Sequence, residues 1–250
     1  MSTVRSHPLP AGHALFARYA FPPNELGYCG PPDSEVLLVR RDAAEVRHQA
    51  REFDGAWPYL STIGAITGSD PLDADVVRSY WIGGPLLRRV EPAALLSILR
   101  TAFQGQVTGI LKDVEPSPAV LAHHSFHVFV VYPWVRFLDR DSATAIRVLQ
   151  NCRVRWGTVT AVESEHVVID SCPLIVDDGR LRLGSAQAER VRWCRDGASL
   201  IAAPGLGSLV AAHWDWACDT LSGSDRDALA AATTATLTMV NEIRGREHTR

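Results

Sequence analysis

Residues 152–162 read CRVRWGTVTAV, and this stretch decides the fold. One set of side chains alternates with its neighbours along it, namely Val154, Trp156, Thr158, Thr160 and Val162. Alternation over this length predicts a β-strand with two different faces. Further short strands are predicted at 166–170, 173–176, 180–183, 189–193 and 200–203. Short strands spaced this closely predict a small, OB-like β-barrel module at 150–205.

Helical patterns dominate on both sides of this module. One helix is predicted from Ser117-Pro118 to Tyr132-Pro133, since proline is favoured at a helix start and stops a helix at its end. From Leu209 the pattern becomes helical again and leads into a C-terminal helix. The sequence therefore predicts an α+β protein: a mainly helical domain at 1–149, the barrel module, and a C-terminal helical segment at 206–250 that packs on the rest.

Composition excludes several classes of protein. The 250 residues are 46% hydrophobic and 21% charged, which is typical of a globular chain. The 25 basic and 28 acidic residues nearly cancel, so a broad basic surface for nucleic acid is not expected. The uncharged stretch 118–135 contains three histidines and a proline, which argues against a membrane span. The five cysteines are an odd number, widely spaced and without a CxxC pair, so we expect reduced thiols and a cytoplasmic protein.

The common catalytic motifs are missing. The chain has no GxxxxGK[ST] phosphate loop, no GxSxG nucleophile elbow, no HExxH zinc motif and no dinucleotide-binding fingerprint. We therefore assign no catalytic residue.

His123, His124 and His127 form the densest polar cluster of the sequence. On a helix, His123 and His127 would share a face one turn apart, where two imidazoles can hold nickel, iron or zinc, and His124 would point about 100° away. Cys29, in a loop rich in glycine and proline, is a candidate further ligand. The alternative is structural: packed histidines bonded to backbone carbonyls, and a tight turn at Cys29. If the segment is a strand, His123 and His127 still share a face, but less closely.

The start of the barrel module carries a resemblance to a known family. Cys152, followed after four residues by Gly157 and then by Val159, is similar to the small hydrogenase-maturation chaperones. Asp196-Gly197 with a second glycine at Gly205 adds to this resemblance, which covers about residues 150–225. That family has a small barrel followed by a C-terminal helix, and it escorts the iron–cyanide–carbonyl centre to the large subunit of nickel–iron hydrogenase. In that family the cysteine follows the initiator methionine, whereas Cys152 lies in mid-chain.

The N-terminal half carries a second resemblance. The segments 16–30, 53–60 and 123–127 resemble an uncharacterised actinobacterial family that is similar to proteins encoded beside nickel–iron hydrogenases. Together the two resemblances imply an accessory or maturation protein that binds the hydrogenase large subunit or a maturation factor. Four residues of the barrel region are then candidates for partner binding: Cys152, Trp156, Trp214 and Trp216. The alternative function is a metal- or haem-binding enzyme or electron carrier that uses the three histidines, with nickel, iron or zinc as the metal.

Overall fold

The computed structural model describes residues 9–39 and 42–247, and it combines helices with β-strands as the sequence predicts. The helices are α1 Ala11–Glu25, α2 Glu35–Val39, α3 Ala43–Arg51, α4 Trp57–Thr67, α5 Ala74–Trp81, α6 Pro92–Ala102, α7 His124–Phe126, α8 Ser142–Cys152 and α9 Gly223–Glu247. Short 3-10 turns lie at Pro85–Arg89, Leu111–Asp113 and Pro133–Phe137, and a π-helical turn at His127–Val131. No helix in the described ranges is long and apolar enough to cross a membrane.

The strands are β1 Arg155–Val162, β2 His166–Ser171, β3 Leu174–Asp177, β4 Arg180–Leu183, β5 Gln187–Arg192, β6 Cys194–Arg195, β7 Ala198–Ser199, β8 Leu209–His213 and β9 Trp216–Thr220. Five of them hydrogen-bond in the order β1-β2-β5-β9-β8, and β8 pairs back with β1, so that they form a closed five-stranded ring. All neighbours in the ring are antiparallel except β5 and β9, which are parallel. The hairpins β3-β4 and β6-β7 lie outside the ring.

A glycine explains how tightly the first two strands of the ring approach each other. Gly157 on β1 faces Ser171 on β2, and a Cβ atom at Gly157 would lie 2.6 Å from the carbonyl oxygen of Asp170. This distance is shorter than van der Waals contact, so only glycine fits here without moving a strand.

The ring and the helices share one large hydrophobic core. A small separate cluster fills the inside of the ring, whereas residues on its outer face join the core built by the helices. Helix α1 lies between the two parts: Phe21 packs edge-on against Trp216 of β9, with ring centroids 5.5 Å apart. The Asn241 side chain of α9 forms hydrogen bonds of 2.8 Å with both the N–H and the C=O of Leu181 in β4. Helix α1 therefore holds the ring, whereas α9 holds the β3-β4 hairpin outside it.

The helix predicted from Leu209 is wrong for the first twelve residues, which form the hairpin β8-β9. Four of the five residues in each strand are buried, so both faces of the hairpin are covered and the alternation that predicts a strand is absent. Trp214 turns the chain with a positive φ of 50°. Helix begins only at Gly223.

The helix predicted from Ser117 to Tyr132 is wrong for its first half. Residues 117–123 form turns, bends and coil, and helix begins at α7 and continues as the π-helical turn His127–Val131. His123 has extended backbone angles (φ −130°, ψ 149°) and its side chain caps the helix by accepting a hydrogen bond from the Ser125 N–H. His123 and His127 therefore do not share a helix face as predicted.

Candidate functional site

Two cavities adjoin each other: an inner chamber where the helices meet the ring, and an outer cleft lined by residues of the helical part. The inner chamber has a volume of about 50 Å³, which is room for a few water-sized molecules. The outer cleft has a volume of about 390 Å³ and is open to solvent. Both cavities are lined by the same five residues: Tyr28, Cys29, Gly55, His127 and Tyr132. We infer that the cleft leads into the chamber through these residues.

The loop after α1 places Cys29 and Tyr28 at this passage. The Asn24 side chain donates hydrogen bonds to the carbonyls of Cys29 (2.9 Å) and Pro31 (2.6 Å), which fixes the loop from inside. Tyr28 is stacked on Trp214 with ring centroids 4.0 Å apart. The two rings thus bring the loop into contact with the β8-β9 hairpin at the edge of the chamber.

The π-helical turn positions two of the three clustered histidines. The Tyr132 N–H bonds the His127 carbonyl at 2.8 Å, an i to i+5 bond that widens the backbone after α7. His124 and His127, three residues apart, both face the chamber with ring centroids 6.4 Å apart. π-Helical turns of this kind occur frequently at functional sites.

The carbonyl oxygen of Cys152 lies within hydrogen-bond distance of two imidazole rings. Nε2 of His124 lies 2.8 Å from it, and Nε2 of His213 lies 2.9 Å from it. Nδ1 of His124 in turn lies 3.2 Å from the Tyr80 hydroxyl, which is also 3.1 Å from the carbonyl of Gly55. One backbone atom thus orients histidines from the helical part and from the ring.

His213 has an unusual pair of hydrogen-bond partners. Its second nitrogen, Nδ1, lies 2.7 Å from the carbonyl oxygen of Tyr19, so both ring nitrogens face groups that only accept. Burial lowers the pKa of His213 well below its ordinary value, and neighbouring His124 and Arg155 act in the same direction, although the two carbonyls favour the charged ring. Burial outweighs the two carbonyls, because His213 is almost completely enclosed and has two other potentially cationic groups beside it.

Burial keeps the other ionisable groups of the chamber neutral. It lowers the pKa of His127 to about 3 and of His124 to about 4. It also raises the pKa of the Tyr80 hydroxyl and of the Cys152 thiol above their ordinary values. The three imidazoles, the Tyr80 phenol and the Cys152 thiol of the chamber are therefore neutral at physiological pH.

Cys29 differs from Cys152 in its access to water. The protein around Cys29 raises the pKa of its thiol to about 12, yet the residue is exposed at the passage between cleft and chamber. Since water at the passage also solvates the thiolate, exposure limits this rise.

The structure brings only part of the predicted metal site together. Cys29, His124 and His127 line the chamber, whereas His123 does not, because its side chain caps α7. Within residues 9–39 and 42–247, no group of three or more His, Cys, Asp or Glu side chains could hold a metal ion. The four predicted ligands therefore do not form a metal centre in this structure.

The residues predicted to bind a partner are mostly buried. Trp216 is fully buried against Phe21 and cannot contact another protein in this conformation. Cys152 and Trp214 are also buried and line the chamber, and Trp156 is half-buried beneath the Arg153 guanidinium. These four residues therefore do not form an exposed docking surface.

Sequence reasoning missed Tyr80 and Trp81 of α5 as chamber residues and did not include His213 among the candidate ligands. Trp81 packs between Tyr19 and His124, with ring centroids 5.3 and 4.4 Å away. His213 stands in the run HWDW at 213–216, which is dense in aromatic side chains. Such a run fits a partner-binding helix as well as the closed end of a barrel, so it did not identify His213 as a residue of the chamber. Residues 80 and 81 showed only the spacing of a buried helix face.

A family model matches this chain over residues 8–247, nearly its whole length. The chain belongs to the family of unknown function DUF6390. The matched range includes both the helical part and the ring, so the chamber between them lies inside the family's common region. No curated protein and no solved structure gives a significant match.

Proposed function

We propose that this DUF6390 protein is an accessory or maturation protein of a nickel–iron hydrogenase, which binds a hydrogenase subunit or a maturation factor. The observation that carries the proposal is the position of Cys152. The segment that resembles the maturation chaperones begins at this cysteine, on the wall of the chamber, and continues into the first strand of the ring.

The order in which the strands of the ring pair supports the fold that the resemblance to the maturation chaperones implies. Counted along the chain, the five strands of the ring lie in the order first, second, third, fifth and fourth, with the third and fifth parallel. A five-stranded barrel with one return connection of this kind is typical of OB-like folds. We therefore propose an OB-like barrel, the fold that the resemblance implies.

The mouth of the outer cleft is the surface we propose for the partner. Val107, with 73% of its surface exposed, and Tyr28, with 42%, both line the cleft. The carboxylate-bearing residues Glu52 and Asp54 lie beside them. An exposed apolar rim with acidic neighbours favours a polypeptide segment that carries both apolar and basic side chains.

The alternative function, a resident metal or haem used by the three histidines, has less support. The described ranges hold no metal-ligand group, and His123 caps α7 and does not line the chamber with the other two histidines. The residues present do not fit a resident metal ion, so we propose no chemistry that uses one.

A co-purification experiment tests the proposal. The tagged full chain is expressed in a strain that also expresses the hydrogenase operon, and the bound proteins are identified by mass spectrometry. Val107→Asp places a charge on the rim of the cleft and should reduce recovery of the partner at least tenfold. Leu206→Asp is the matched control, because Leu206 is equally exposed (72%) but does not line the cleft.

The proposal is wrong if the wild-type chain recovers neither a hydrogenase subunit nor a maturation factor. Equal loss of recovery in both aspartate variants would show that the cleft is not the docking surface.

A further inference from the structure

Two tryptophans of the inner chamber have indole N–H groups without an acceptor. Trp81 and Trp214 both line the chamber and are only 2% and 6% exposed. The Nε1 atom of each is buried, and no hydrogen-bond partner for it exists in the part of the chain that the structure describes. An indole N–H can only donate, and burying a donor without an acceptor is unfavourable. Such groups point to an acceptor that is not part of the protein.

The backbone holds Trp214 in this position at a cost. Its φ of 50° lies in the left-handed region, which bulky residues rarely adopt. Its N–H donates to the Asn151 carbonyl at 2.9 Å, and its own carbonyl accepts from the buried guanidinium of Arg155. Residues kept in such conformations by their surroundings cluster at ligand sites.

The charge distribution around the chamber favours an anion. His127 adds a further polar atom, Nδ1, that is buried and finds no partner among the described residues. None of the described residues that line the chamber is an aspartate or a glutamate. The Arg155 guanidinium, which bonds the Trp214 carbonyl behind the chamber wall, also pairs with Glu189. An anion in the chamber thus meets indole donors and no carboxylate, whereas a cation would meet no carboxylate on the chamber wall to balance its charge.

The volume limits the size of the ligand. A space of about 50 Å³ for water-sized molecules accommodates only a few non-hydrogen atoms. Larger ligands would have to remain in the outer cleft.

We propose that the inner chamber binds a small monoanion of two to four non-hydrogen atoms, which accepts hydrogen bonds from the indole N–H groups of Trp81 and Trp214. The anion enters from the outer cleft past Cys29 and Tyr28. This site does not depend on the hydrogenase proposal, since it follows from the walls of the chamber alone.

Formate and azide are suitable probes, and formamide is the neutral analogue of formate with nearly the same shape. The full chain, labelled with 15N, gives one indole resonance for each of its seven tryptophans. Each probe is titrated to about 50 mM while the ionic strength is held constant with gluconate, an anion too large for the chamber. We expect formate and azide to shift two indole resonances saturably, and formamide to shift neither.

Substitutions assign the two resonances to individual tryptophans and measure how much each indole N–H contributes to formate binding. Trp81→Phe and Trp214→Phe each keep an aromatic ring and remove the donor, so each should remove one shifting resonance and weaken formate binding about tenfold. Trp193→Phe is the matched control, because the Trp193 indole already donates to the Glu163 carbonyl at 3.2 Å. This substitution should leave formate binding unchanged.

Three results would overturn the proposal: no saturable shift of any indole resonance in the wild-type chain, shifts by formamide as large as those by formate, or unchanged formate affinity in both chamber variants. The wild-type titration needs no substitution, so a variant that fails to fold does not prevent the test. The remaining indole resonances report whether each variant is folded.

Discussion

Mild acid should destabilise this protein through its buried histidines. His123 and His124 are enclosed by the core, and burial lowers the pKa of His123 to about 3 and of His124 to about 4. In the unfolded chain both titrate near pH 6.5. Between pH 7.5 and 5.5 these histidines therefore bind protons in the unfolded state but stay neutral in the folded state. The free energy of unfolding thus falls as the pH falls.

The size of this effect depends on the unfolded pKa and hardly on the folded one, provided that the folded pKa lies below about 5. Each histidine that stays neutral in the fold contributes a loss of about 1.4 kcal/mol over these two pH units. His123 and His124 together give about 3 kcal/mol, and His127 and His213 act in the same direction. This is a large share of a typical stability of about 5–15 kcal/mol.

Urea unfolding, followed by circular dichroism at several values from pH 7.5 to 5.5, measures the effect. Carboxylates titrate mostly below this range and contribute little to it. His124→Gln should reduce the pH-dependent loss by about 1.4 kcal/mol, whatever it does to stability at pH 7.5. His48→Gln, at an exposed position of α3, is the matched control and should leave the loss unchanged. A wild-type stability that varies by less than about 1 kcal/mol over this range would refute the reasoning.

Three further predictions concern the ring, the contact of the β3-β4 hairpin with α9, and the passage between cleft and chamber. Gly157→Ala should lower the free energy of unfolding by about 2 kcal/mol or more in urea titrations, because its Cβ would lie 2.6 Å from a carbonyl oxygen of β2. Asn241→Ala should cost about 2 kcal/mol in the same assay, since it leaves the backbone N–H and C=O of Leu181 without their partner; an unchanged midpoint would show that water replaces the amide. Iodoacetamide should modify Cys29 faster than Cys152 in the folded chain, because Cys29 is exposed and Cys152 is buried, and peptide mass mapping checks the order.

The sequence predicted the β1 strand because its alternation is regular, and one face of that strand is indeed buried while the other is more open. It failed for β8 and β9, because a strand buried on both faces shows no alternation. The helix prediction for residues 117–132 failed for a different reason. Its prolines and histidines fit a helix start, but the side chain of His123 is used as a cap only one residue before α7.

The sequence indicated which residue types line the candidate site, but it did not predict how they are arranged in space. Cys29 and two of the three clustered histidines do line one chamber, as a sequence rich in such residues suggests. The convergence of His213 on the Cys152 carbonyl joins residues 61 positions apart and depends on the ring closing. Local patterns carry no information on such a contact.

The contacts around the Cys152 carbonyl determine whether the chain can be cut into two fragments that fold separately. The His213 imidazole of the ring lies against this carbonyl and against the carbonyl of Tyr19, both of which belong to the helical part. Severing the chain after residue 154 would separate His213 from both carbonyls and would expose the apolar surface that the two parts bury against each other. We therefore expect neither fragment to fold by itself, and the intact chain to melt in a single cooperative transition.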